Sequence, residues 1–219
     1  MGGFDAPVHI LWGNHDYEVN CSGETFEREF SHALFARFFG ADPYGVVDAG
    51  GWRFVMLNSQ LGPTWDVDSE QCSTSLGSFG VEQLAWLDAL LSEDLPTLVM
   101  SHHHWLTSIA DAEDPSGPNP DLRTVLARHD NVVAHLAGHL HRWYDLGPND
   151  VVPVRHLILG ATRYDDDNFW LAEFEPGTSD WSFLDFDKPQ WMTTCADTWT
   201  YDGVPALQPD GTETGDCTF

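Results

Sequence analysis

The chain has 219 residues, room for one well-filled domain, and its 42% hydrophobic and 13% aromatic content excludes wholesale disorder. Its 35 acidic residues stand against 9 basic ones, Lys188 being the single lysine, for a formal net charge of -26. Such a surface repels the phosphates of nucleic acids and anionic membranes over a Debye length of about 8 Å, which excludes extended nucleic acid and membrane as partners. A small phosphate ester stays admissible, because bound divalent cations dominate the field inside a pocket whatever the outer surface carries.

In chain order, Pro7 to Trp12 reads as a short buried strand ending at Gly13 and feeding the polar loop Gly13-Asn14-His15-Asp16. Phe26, Phe30, Leu34 and Phe38 at four-residue spacing predict a helix packed through that stripe, with Ser22 as N-cap and Gly40 as stop. Tyr44 to Val47 and Trp52 to Asn58 read as strands around a Gly50-Gly51 turn. Ser59 to Phe79 has no period and reads as a long loop; its Asp66, Asp68 and Glu70 lack the rest of a calcium loop and read as solvated, as does Asp165-Asp166-Asp167. Val81, Leu84, Leu87 and Leu91 mark a second helix, and Thr97 to Met100 a strand delivering Ser101-His102-His103-His104.

Asn119 and Pro120 open a third helix with inner face Leu122, Val125, Leu126 and His129, before the strand Val132 to Ala137 runs into Gly138-His139-Leu140-His141. Strands follow at Val154 to Leu159, Phe169 to Phe174 and Trp181 to Phe186, the last two joined at Pro176-Gly177. The expected organisation is one domain over residues 1–187 and an irregular extension over 188–219.

Asn14, His15, Asp16, His102, His103, His139 and His141 thus fall on three loops, each directly after a predicted strand. In a mostly parallel sheet such strand ends share one edge, so the loops are expected to converge. Neutral imidazole and amide oxygen suit Zn, Mn or Fe. His9, His32, His129, His135 and His156 read as packed, hydrogen-bonded histidines with no catalytic part, and His104 as a surface residue.

Gly-Asn-His-Asp at 13 to 16, Val-x-x-His at 99 to 102 and Gly-His-x-His at 138 to 141, in that order, resemble the third, fourth and fifth blocks of the calcineurin-like metallophosphoesterases. Phe79 to Leu91, with Glu82-Gln83-Leu84 and Trp86-Leu87, resembles the helix that precedes the fourth block in bacterial, purple-acid-phosphatase-like members. The resemblance implies an α/β fold, the four-layer α/β/β/α sandwich, and hydrolysis of a small phosphomonoester or phosphodiester. It further implies two metal ions (Mn, Fe or Zn) about 3.5 to 4 Å apart sharing a bridging hydroxide. Carried over by motif, Asn14, His102 and His139 bind the second metal and His141 the first. His15, oriented by Asp16, stabilises the transferring phosphoryl group or protonates the leaving oxygen, and His103 contacts the substrate or supports the ligand shell.

Two departures stand out. The family's Asp-x-His and Gly-Asp-x-x-Asp blocks belong ahead of Gly13, and the twelve residues there fit neither, so an N-terminal strand-helix-strand unit is expected to be missing. The chain then keeps ligands for one metal and a single ligand for the other, and the alternative reading is a truncated, non-catalytic remnant or binding module with at most one metal. Trp105 stands where the family often has Pro.

Four dispersed cysteines suggest two disulfides, Cys21 with Cys72 and Cys195 with Cys217, and hence an exported protein, periplasmic or extracellular. Met1 to Pro7 lack the regions of a signal peptide, so such a signal would belong to an upstream segment. Substrate selection is expected from the loops Ser59 to Phe79 and Thr107 to Pro118, and neither composition nor motif selects an oligomeric state.

Overall fold

The structure is a computed structural model that describes residues 6–17, 21, 28–73, 75–105, 108, 121–141, 144–146, 148, 153–160, 170–185, 190–195, 198–201 and 204–205. The first sheet holds β1 (Gly45–Ala49), β2 (Trp52–Met56), β3 (Thr97–Ser101), β4 (Val132–Ala137), β5 (Tyr144–Asp145) and β6 (Arg155–Ile158), in the order β1-β2-β3-β4-β6-β5. Strands β2, β3, β4 and β6 run parallel at its centre, while β1 and β5 pair antiparallel at the two edges. Parallel neighbours place their C-terminal ends along one edge, and that edge carries the site.

Local chemistry explains the elements. Gly50 (φ 61°) and Gly51 (φ 83°) form the two-residue turn between β1 and β2, which needs positive φ at both positions. The amphipathic helix α2 (Val81–Leu91) buries Leu84, Leu87 and Leu91 in a core with Val55, Val99 and Val125. Its buried Gln83 accepts from Asn58 N–H (2.8 Å) and donates to the carbonyls of Asn58 (2.8 Å) and Phe79 (2.7 Å), which ties the helix to the chain leaving β2.

A second, antiparallel sheet consists of β7 (Trp170–Phe174), β8 (Trp181–Asp185), β9 (Gln190–Cys195), β10 (Thr198–Tyr201) and β11 (Val204–Pro205). Phe174 packs against Trp52 (ring centroids 5.0 Å) and Phe54 (4.9 Å), and Leu157 shares a smaller core with Phe183. The fold is therefore mixed α/β, with helices α2 and α3 (Leu122–Leu126), the central sheet and the second sheet as layers. An outer helical layer on the second sheet is not found among the described residues. No helix among them is long and apolar enough to cross a membrane.

Several expectations are corrected. Residues 7–12 form no strand, and Val8, Leu11 and Trp12 line a cleft of about 370 Å³ with Val46 and Val47. Trp12 is instead held by stacking on Phe35, with ring centroids 3.5 Å apart. The helix over this region, α1 (Arg28–Phe39), does end at Gly40, whose N–H reaches Ala36 O at 3.1 Å, but it is rotated from the predicted face. Phe30, Leu34 and Phe38 are exposed, and Ser31, His32 and Phe35 face inward because the aromatic partners Trp12 and Tyr17 lie there.

Phe26 and Ser22 lie outside the described residues, as do Asn119 and Pro120. The N-cap of α3 is Asp121, whose carboxylate accepts from Thr124 N–H at 2.8 Å, so the helix opens later than predicted. The stretch from Lys188, read as irregular, contributes β9, β10 and β11, since β8 offers β9 a free edge to pair with. The Cys21–Cys72 disulfide is present, whereas Cys217 and Asp165 to Asp167 lie outside the described residues.

Candidate metal centre

Three parallel strands release their chains at one edge: β2 leads to Asn58 and Ser59, β3 to His102 and His103, and β4 to Gly138 and His139. The loop from Gly13 to Tyr17 joins them there. Asn14 to Asp16 form one 3-10 turn, closed by the Asp16 carboxylate accepting from Gly13 N–H at 2.7 Å. Tyr17 anchors the turn from behind, since its buried ring stacks on Trp12 and its hydroxyl bonds His32 Nε2 (2.8 Å) and the Asn58 amide. Burial pushes the Tyr17 hydroxyl pKa up, so it stays protonated as the donor to His32.

At the convergence, His102 Nε2 lies 2.8 Å from Asn14 Oδ1 and 3.2 Å from His139 Nδ1. His103 completes the group, its ring centroid 4.2 Å from that of His139, and the ligand-type nitrogens of His102, His103 and His139 all fall within 4.8 Å of one another. Close approach is bought with glycine: a Cβ on Gly77 would stand 2.7 Å from the His103 ring, and one on Gly13 3.2 Å from His102 Nδ1. His139 (φ 69°) and His141 (φ 58°) occupy the left-handed region, which costs a non-glycine residue roughly 1 to 2 kcal/mol. Gly138 N–H donates to His102 O (3.0 Å), fixing one turn against the other.

Burial, assisted by neighbouring histidines, lowers the pKa of His102 to about 4 and that of His103 further; His139 is lowered by the same causes. The three imidazoles are uncharged at neutral pH and present lone pairs. His103 Nδ1 lies 2.7 Å from Ser59 Oγ, and its buried Nε2 has no hydrogen-bond partner. In the tautomer whose Nδ1–H donates to Ser59 Oγ, Nε2 is a bare donor atom, the arrangement metal-ligating histidines adopt.

The residues fit one cation. Two donors about 2.1 Å from a shared ion stand roughly 3.0 Å apart at right angles and roughly 3.4 Å apart in a tetrahedron, a span that the 2.8 and 3.2 Å separations approach. No Asp or Glu joins the cluster among the described residues.

Placement differs in detail from the sequence reading. His103 is fully buried inside the cluster. His104 is fully buried as well, not on the surface. His15 and Asp16 are exposed at the mouth of the loop, and Asp16 bonds Gly13 N–H rather than orienting the His15 ring. His141 is exposed, outside the three-histidine group but close enough to weigh on the charge of His102 and His139. Sequence reasoning missed Ser59, although applying the strand-end rule to β2 points to it. It also missed Gly77, whose role is visible only as a steric gap.

The family profile described as "Calcineurin-like phosphoesterase" matches residues 2–143. The chain belongs to the calcineurin-like phosphoesterase family. Among curated relatives, this phosphoesterase chain is 31% identical over 145 residues to a Synechococcus sp. protein named "Probable cyclic nucleotide phosphodiesterase", covering 65% of this chain and 49% of that one. It is 26% identical over 197 residues to the Escherichia coli K12 3',5'-cyclic adenosine monophosphate phosphodiesterase CpdA, covering 88% of this chain and 60% of the relative. The chain thus spans about half to three fifths of the length of these relatives. A dimetal phosphatase from Danio rerio aligns with a TM-score of 0.47 at 18% identity, covering 84% of this chain and 67% of that one.

Proposed function

We propose that this calcineurin-like phosphoesterase hydrolyses a small phosphoric ester, with a cyclic-nucleotide-type phosphodiester the first class to test. The observation that carries the reading is the meeting of Asn14 Oδ1, His102 Nε2 and His139 Nδ1 within 2.8 and 3.2 Å, beside His103. The names of the curated relatives support the choice of a phosphodiester.

In this reading Asn14, His102, His103 and His139 hold a divalent ion such as Mn, Fe or Zn, and His141 stands ready for a second. Such an ion supplies Lewis-acid polarisation of the phosphoryl oxygens and lowers the pKa of water. His15, exposed at the loop mouth, hydrogen-bonds the phosphoryl group or gives a proton to the leaving oxygen. Asp16 keeps the loop closed through Gly13 N–H, which fixes where His15 stands. The Cys21–Cys72 disulfide supports placing the protein in an oxidising, extracytoplasmic compartment.

The test is hydrolysis of 3',5'-cyclic AMP and bis(p-nitrophenyl) phosphate by metal-stripped protein after addition of Mn2+ or Zn2+. Metal-dependent turnover that His139→Ala removes is the expected result, and metal binding without turnover of any ester in a broad panel overturns it. A second reading is a non-catalytic binding module holding one cation, favoured by the lack of a carboxylate in the cluster among the described residues. One equivalent of metal per chain with no hydrolysis identifies the module; two equivalents with turnover identify the enzyme.

A further inference from the structure

Behind the histidine cluster, Ser101 at the end of β3, His135 on β4 and His156 on β6 form a buried chain of polar contacts. Ser101 Oγ lies 2.6 Å from His103 O and 2.8 Å from His135 Nε2, and His135 Nδ1 lies 2.7 Å from His156 Nδ1. All three side chains are inaccessible to solvent.

Hydrogen-bond accounting fixes the direction of this chain. A carbonyl only accepts, so the one hydroxyl proton of Ser101 goes to His103 O. Ser101 Oγ must then accept from His135 Nε2–H. Burial lowers the pKa of both histidines, assisted at His135 by His156 and His104 and at His156 by His104, to about 3 for His156, so each ring is neutral and carries one N–H. His135 Nδ1 is therefore bare and accepts from His156 Nδ1–H. His156 Nε2 is left as a lone pair, and it has no hydrogen-bond partner in the interior.

What the chain holds is the backbone of the His102-His103 turn. Gly138 N–H fixes His102 O at 3.0 Å, and Ser101 fixes His103 O. The two bonds together set where both rings project, and the Ser59 Oγ contact with Nδ1 at 2.7 Å holds the His103 ring. Each strand that feeds the cluster thus contributes one polar anchor to the same turn.

We propose that Ser101, His135 and His156 are positioning residues whose hydrogen-bond directions, imposed in sequence across three parallel strands, hold the His102-His103 turn at the donor spacing a cation requires. This rests on the reading of His102, His103 and His139 as metal donors. The residues touch neither metal nor substrate; they act through the His103 carbonyl. The His135 ring is needed for its Nε2–H, which a glutamine amide reproduces and a leucine does not.

The test is calorimetric titration of Zn2+ and Mn2+ into metal-free wild-type, Ser101→Ala, His135→Leu and His135→Gln proteins, with long-range 1H–15N NMR of the histidine rings. The expected result is a His135 Nε2–H and His156 Nδ1–H pair in the spectrum and affinity weakened about 10- to 100-fold in Ser101→Ala and His135→Leu. Recovery toward wild type in His135→Gln is expected as well. Wild-type affinity in a folded Ser101→Ala protein overturns the proposal, as does any other tautomer pair. Should His135→Leu fail to fold, Ser101→Ala and the tautomers still decide. Should wild-type protein bind neither ion, the metal reading falls, and the positioning role is judged by the His102 and His103 ring resonances: Ser101→Ala moves them if the role is real and leaves them in place if it is not.

Discussion

Asn14 Oδ1 lies 2.8 Å from His102 Nε2, joining a loop near the start of the chain to the turn after β3 across 88 positions. An amide oxygen and a neutral imidazole nitrogen are both suitable metal ligands, and burial keeps His102 uncharged, so the contact defines the heart of the site. Removing either side is expected to weaken Zn2+ or Mn2+ binding by roughly a hundredfold. Asn14→Ala and His102→Ala titrations check this, and wild-type affinity in both would show that the donors have been misassigned.

Gly77 leaves room for the His103 ring, which a Cβ would approach to 2.7 Å. Gly77→Ala must displace either the ring or its own loop, and overpacking of this kind costs about 1 to 3 kcal/mol. Urea denaturation of metal-free protein measures the loss. A parallel drop in metal affinity is expected, because the displaced ring belongs to the cluster.

His135 and His156 are buried neutral, with pKa values held below the ordinary histidine range by burial first and by neighbouring histidines second. The folded state then binds fewer protons than the unfolded state once pH falls below about 6.5. Their cost to stability is absent above about pH 6.5 and grows as pH falls toward about 3, where His156 itself charges. Each such group contributes a slope of up to about 1.4 kcal/mol per pH unit. Denaturation midpoints at pH 7.5, 6 and 5 check the sign, and a midpoint that rises on acidification refutes it.

On α1, the exposed Phe38 and the inward Phe35 are predicted to behave oppositely. Phe35→Ala removes the stack on Trp12 and is expected to cost about 1 to 3 kcal/mol, whereas Phe38→Ala is expected to stay within about 0.5 kcal/mol. Comparable losses at both positions would instead restore the predicted stripe as the packing face.

The disulfide between Cys21 and Cys72 closes a loop of 51 positions and joins the segment after Tyr17 to the loop after β2. Reduction, or Cys72→Ser, is expected to lower stability by about 2 to 4 kcal/mol through the freer unfolded chain. Thermal unfolding with and without a reductant measures it.

Much of this was legible in the residues because it is local. The three- and four-residue rhythm of Leu84, Leu87 and Leu91 is set by helix geometry, the Gly50-Gly51 turn by allowed backbone angles, and the placing of His102 and His139 after β3 and β4 by the rule that parallel strands end together. Those features recur within a few residues or follow from topology, so strand order brought the His102 and His139 loops to one edge, while the Asn14 loop reaches it through the packing of Trp12 and Tyr17. Tertiary structure decided whatever depends on which side chains happen to meet. It turned Phe35 inward because Trp12 was there to stack on, buried His104, left residues 7–12 without a ladder, and made Gly77 indispensable as empty space beside His103. It also aligned Ser101, His135 and His156, which lie on three strands and carry no common motif, into one directed chain of hydrogen bonds. Local periodicity encodes elements and their order, whereas contacts across tens of residues exist only once the packed interior has fixed who stands beside whom.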